Sequence, residues 1–162
     1  MLDRMELLRL VERDAKLNSK EIAVMLGASV EEVEKELDFL VKEKIILGAK
    51  TEINWEKTDL ESVVAMIEVR ITPIRNKGYN HIANLISKYD KVKACYLMSG
   101  GFDLMIIYED KNLKAVSSFV SDRIAPLEGV LSTTTHFVLK KYKDNGILFE
   151  DSSNDDRQAI IL

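Results

Sequence analysis

Cysteine is almost absent: Cys95 is the only one among 162 residues. One thiol closes no internal disulfide, and no second cysteine stands near it to build a metal cluster. Cys95 lies inside the apolar run ACYLM, which marks a buried thiol ahead of a nucleophile. Histidine is nearly as scarce. His81 and His136 are far apart in the chain, and no metal-ligand spacing, glycine-rich nucleotide loop or acid/base pair accompanies them. No metal or cofactor is therefore expected. No apolar run approaches the roughly 20 residues that a membrane helix needs. The opening MLDRMELLRL is charged throughout and lacks the apolar centre of a signal peptide. The expected setting is reducing and cytoplasmic, without a membrane partner.

Bulk positive charge is also missing. The net charge is −4 and the sequence pI about 5.3, which excludes a uniformly basic nucleic-acid binder and leaves room for a local patch. Apolar residues make up 46% of the chain, enough for a true core. Charge is uneven. Residues 1–58 carry ten basic and thirteen acidic groups, residues 59–148 twelve and ten, and residues 149–162 one and four. These ranges are the expected divisions of the chain: a first unit with linker, a second unit, and an acidic tail.

The first range reads as three helices. Leu7, Leu8, Leu10 and Val11 stripe the first. Asn18-x-x-Glu21 caps the second, whose apolar residues are Ile22, Met25 and Leu26, and Gly27 ends it. Ala23 is small enough for a close helix crossing. Ser29-x-x-Glu32 is a capping box for the third, with apolar Val30, Val33, Leu37, Leu40 and Val41. A short helix, a glycine turn and a capped helix predict a helix-turn-helix. Ile45–Trp55 then predicts a β-hairpin wing around Gly48, and 54–59 a linker.

The second range predicts βαββαβ, the split arrangement of a ferredoxin-like fold. The first strand, SVVAMIEVRI, turns Val63, Ala65, Ile67, Val69 and Ile71 one way and ends at Pro73. Tyr79, Ile82, Ile86 and Tyr89 stripe one helix. Leu113, Val116, Val120 and Ile124 stripe another, which Pro126 stops. KVKACYLMS, LMIIYE and VLSTTTHFVLKKY supply the other strands. The open sheet face is expected to carry Val64, Met66, Cys95, Leu97, Met105 and Ile107. A face so apolar implies a partner sheet and a homo-oligomer.

In a helix-turn-helix the start of the second helix meets base edges. Here those positions are Ser29, Glu31, Glu34 and Lys35, with Asp38 further along. A carboxylate accepts from cytosine N4 but repels phosphates. Affinity depends on cations that release counterions, and Lys20, Lys35, Lys42, Lys44 and Lys50, with Lys16, supply them. The acids have a plainer reading too, since carboxylates at a helix N-terminus favour the macrodipole.

The stretches Glu21-Ile22-Ala23 with Leu26-Gly27, Ile45-Ile46-x-Gly48, Gly100-x-x-Asp103 and STTTHFVLKKYK, in this order, resemble the Lrp/AsnC family of leucine- and asparagine-responsive transcription regulators over about residues 1–145. The family usually carries Arg where this chain has Glu36, and an aromatic residue where it has Ala49. The resemblance implies an α+β protein with an N-terminal winged helix-turn-helix and a βαββαβ effector domain. It implies a non-enzymatic regulator that binds DNA as a dimer assembling further, up to an octamer, and an amino-acid or related effector near the second turn of that domain. The residues expected there are Ser99, Gly100, Gly101, Phe102 and Asp103, with Thr133 and Thr135 on one face of the last strand. Backbone N–H groups of the glycines suit a carboxylate and Asp103 an ammonium, although such a turn needs glycine and a capping Asp in any case. Two other readings stand beside this one: a ligand-binding module without DNA binding, and a siroheme-decarboxylase-like enzyme. The latter class uses His and Arg around a tetrapyrrole, and VKACYLMSGGFD contains no His.

Overall fold

The computed structural model describes residues 2–72 and 78–149. Pro73 and the acidic tail from residue 150 lie outside the described residues. The chain divides after Ile53 into two compact units, five residues before the boundary expected from the linker composition.

The first unit holds α1 (Arg4–Arg13), α2 (Ser19–Leu26) and α3 (Val30–Lys42). Both expected capping devices are formed. Asn18 accepts from the Glu21 amide while the Glu21 carboxylate accepts from the Asn18 amide, and Ser29 and Glu32 do the same for α3. The Ser29 backbone and hydroxyl hold the Glu32 carboxyl below its ordinary range. Gly27 has φ +60°, ψ +34°, the left-handed conformation that ends a helix at little cost only for glycine. Leu7, Ile22, Ala23, Val33 and Leu40 form the core, with Leu8, Leu10, Val11, Leu26, Val30 and Leu37 packed around it. Met25 and Val41, expected inside, are exposed. They lie at the margins of the apolar stripes, beyond the reach of so small a core.

The expected wing is not formed. Residues 45–54 contain no strand. Ile45 and Ile46 both donate their amides to the Leu40 carbonyl, at 2.9 and 3.1 Å, and Ile46 packs on the helical core. Lys44, at φ +57°, turns the chain back toward α3. These amides close the end of α3 and are lost to a β-ladder. The expected linker begins the second unit, with a single 3-10 turn at Trp55–Lys57.

The second unit has β1 (Val63–Ile71), α4 (Gly78–Ile86), β2 (Val92–Leu97), β3 (Leu104–Asp110), α5 (Leu113–Phe119, continued as a π-turn to Ile124) and β4 (Val130–Phe137). The sheet order β2-β3-β1-β4 is antiparallel throughout, the split βαβ arrangement. Ala65, Ile67, Val69, Ile71, Leu104 and Ile106 of the sheet, with Ile82, Ile86, Val116 and Ile124 of the helices, are buried in one core. Burying each large aliphatic among them contributes about 1.5–3 kcal/mol. A two-residue turn at Asn145-Gly146, both at positive φ, joins β5 (Lys143–Asp144) to β6 (Ile147–Leu148). Asn-Gly is the residue pair that such a turn favours.

Directly paired residues share a face. Cys95 pairs with Ile106 and Leu97 with Leu104, so both take the helix-covered side, contrary to expectation. A register shift between Val92 and Ala94 switches the parity of β2. The open face instead carries Ala94 and Tyr96 beside Val64, Met66, Met105 and Ile107. Burial of Cys95 raises its thiol above the ordinary range.

Candidate DNA-reading helix and effector turn

Val33 and Leu40 fix the buried side of α3. At 100° per residue, Glu31, Glu34, Lys35, Asp38 and Lys42 fall together on the opposite side, and all five are exposed. Two other acids of this helix are occupied internally. Glu32 belongs to the capping box, and Glu36 meets the Arg4 guanidinium of α1, which also lies 5.0 Å from the Phe39 ring centroid. Ser29, the helix cap, is exposed at the start of α3. Lys20 is exposed on α2, and Lys44 and Lys50 are exposed beyond α3. The structure thus assembles the α3 stripe as a unit, whereas Lys44 and Lys50 belong to no strand.

The turn between β2 and β3 is drawn onto the end of β1. Met98 N–H donates to the Asp103 carbonyl at 2.8 Å, and Asp103 N–H to the Val69 carbonyl at 3.0 Å. Asp103 Oδ2 accepts from Ile71 N–H at 2.7 Å. Gly100 sits at φ +136°, where a side chain would be strained. Ser99, Gly100 and Gly101 are exposed, and Phe102 and Asp103 are partly covered. Asp103 therefore holds a β1 amide as well as shaping its own turn.

Thr133 and Thr135 do share a face. They pair with Val69 and Ile67, which puts them half-buried on the helix-covered side of an edge strand, two strands from the turn. The hydroxyl that shares the open face near the turn is Ser132, paired with Arg70. Arg70 reaches the turn itself, donating from Nε to the Gly101 carbonyl at 2.7 Å. Sequence reasoning missed both residues, although the alternation of SVVAMIEVRI puts Arg70 with Met66 and Glu68.

A second polar cluster closes the far end of the sheet. Asp110 is buried and accepts from Lys91 Nζ at 2.7 Å, Tyr108 Oη at 2.8 Å and Lys111 N–H at 2.8 Å. Burial works against its charged form, but Lys91, Tyr108 and the Lys111 amide outweigh it, and the carboxyl is held below its ordinary range. Burial, then Asp110, pushes the Tyr108 phenol upward. Tyr108 stacks on Phe119 with centroids 3.9 Å apart. Among the described residues no group of three or more His, Cys, Asp or Glu is placed to hold a metal, and no helix is long and apolar enough to cross a membrane.

Residues 64–148 match the family model for the Lrp/AsnC ligand binding domain. The uncharacterized HTH-type transcriptional regulator YugG of Bacillus subtilis is 40% identical over 157 residues, 96% of this chain and 94% of its own. Among solved structures, a transcriptional regulator of Neisseria meningitidis in complex with L-Met superposes with a TM-score of 0.71 at 23% identity, over 89% of this chain and 94% of that one. AsnC of E. coli gives 0.66 at 18% identity, over 87% and 94%. At those identities the structures support the fold alone.

Proposed function

This chain belongs to the Lrp/AsnC family of transcriptional regulators, and we propose that it binds DNA through residues 1–58 and answers to an amino acid through residues 59–148. The observation that carries the DNA half is the α3 stripe, a capped helix with a free outer face behind a left-handed glycine turn. Ser29, Glu31, Glu34 and Lys35 face the bases. Lys20, Lys42, Lys44 and Lys50 answer the phosphates. Three carboxylates on the stripe repel the backbone, so each subunit binds weakly and the assembly supplies avidity.

The assembly is a homodimer closed by the open sheet face, with dimers associating further. Met66 and Tyr96, which are exposed, and the half-buried Met105 and Ile107 beside them support this as an apolar surface left partly uncovered on one chain. The effector site is the Ser99–Asp103 turn. Asp103 has one oxygen on Ile71 N–H, which leaves Oδ1 for an ammonium group. The L-Met in complex with the Neisseria regulator makes amino acids the class to test first. Thr133 and Thr135 remain candidates only through a neighbouring subunit. The proposed setting is the cytoplasm.

Footprinting of DNA bound by the native protein, with and without the twenty amino acids, tests the whole reading. The expected result is protected sites whose occupancy changes with one or a few amino acids. An effector must bind the competent and incompetent assemblies differently, typically by about 1–3 kcal/mol. No protection even near ~50 mM salt, where phosphate contacts are strongest, would sink the regulator reading.

A further inference from the structure

Resting on the effector reading above, we propose that Arg70 anchors the carboxylate of the effector and that Asp103 is the residue that positions Arg70. Arg70 stands next to the last residue of β1, where the register with β4 shifts between Arg70 and Ile71. A bulge of this kind re-aims a side chain. Here the irregular position is held from outside the ladder, by Asp103 Oδ2 on Ile71 N–H at 2.7 Å. The guanidinium is held in turn by its Nε on the Gly101 carbonyl, also at 2.7 Å. One of its five N–H donors is thereby fixed against the turn, and the exposed side chain keeps its terminal NH2 groups for a ligand. Guanidinium geometry matches a carboxylate through two parallel hydrogen bonds, and a pre-oriented fork loses less freedom in forming them. The cation and the free Asp103 oxygen then give the turn one group of each sign, as a zwitterion requires.

The twenty L-amino acids are screened by calorimetry against the wild-type protein. Each one that binds is compared with its carboxamide, which keeps the ammonium and side chain and removes the anionic carboxylate. Arg70→Met and Arg70→Lys are measured beside wild type, with circular dichroism and light scattering to show that fold and assembly are unchanged. The wild type should prefer acid over amide by about 10- to 100-fold, the range of a charge-assisted contact. Arg70→Met should lose that preference while binding the amide as wild type does, and Arg70→Lys should keep part of it. A merely structural arginine would weaken acid and amide alike, so an undiminished preference in Arg70→Met overturns the assignment and leaves the effector reading standing. If no amino acid binds the wild type, the effector reading falls and this assignment with it.

Discussion

Arg4 of α1 and Glu36 of α3 form an ion pair across 32 residues, which compensates the Glu36 charge on the helix proposed above to meet DNA. Glu31 and Glu34 have no such partner among the described residues. Glu36→Gln should therefore change non-specific DNA affinity much less than Glu31→Gln or Glu34→Gln, both of which should tighten it. Lys35→Glu should weaken binding to all sequences and lower the salt slope by about one contact. Titrations over a salt series decide this, and equal effects of all three Gln variants would contradict the pairing. Because Arg4 is half-exposed, its removal should cost little stability, about 0–1 kcal/mol.

Ile107→Asp places a charge at the centre of the open sheet face. If a second copy covers that face, the unpaired carboxylate costs on the order of 3–5 kcal/mol, and light scattering should show monomers. Leu97→Asp is the control. Leu97 is 62% exposed and lies on the other side of the sheet, so that variant should keep the wild-type assembly.

A Cβ added at Gly27 meets nothing within 4 Å, so Gly27→Ala tests conformation without a clash. Holding an L-residue in the left-handed region costs about 1–2 kcal/mol. Urea denaturation should show a loss of that size. A neutral result would mean that α2 ends differently in solution.

The Asp110 carboxyl has a lowered folded-state pKa. Its contribution is therefore complete above the unfolded value, about 3.9, and is lost as pH falls through the folded value. The Tyr108 phenol is raised, so its contribution is complete below about 10 and declines as pH rises above that. Asp110→Ala leaves Tyr108 Oη and Lys111 N–H without their acceptor and should cost about 2 kcal/mol. It should also flatten the acid limb of the stability profile. Chemical denaturation from pH 2 to 8 measures both, and an acid limb unchanged in Asp110→Ala would remove this group from the linkage.

Local chemistry was legible in the chain wherever a few neighbouring residues decide the outcome. Asn18 with Glu21, and Ser29 with Glu32, close their rings within one helical turn, and the βαββαβ order follows from stripes at Ile82–Ile86 and Val116–Ile124. What failed depended on partners distant in sequence or on one inserted residue. The alternation after Gly48 resembles a strand, but no second run pairs with it, and Ile45 and Ile46 are already bonded to Leu40. The bulge in β2 reverses the faces of Cys95 and Leu97, and no residue type announces it. At the turn between β2 and β3, Gly100 and Asp103 stand out by type. Arg70 does not, because its neighbour Gly101 is 31 residues away.

The strand pairings also set an order of events. Ala65 on β1 pairs with Phe137 on β4, 72 residues later, and β1 is the central strand joining β3 to β4. Closing so large a loop is entropically costly and slow. The first unit, by contrast, buries its core among helices within its first 42 residues. During synthesis α1–α3 leave the ribosome well before β4 exists. The helical unit of a new chain is thus complete before the unit that matches the ligand-binding domain.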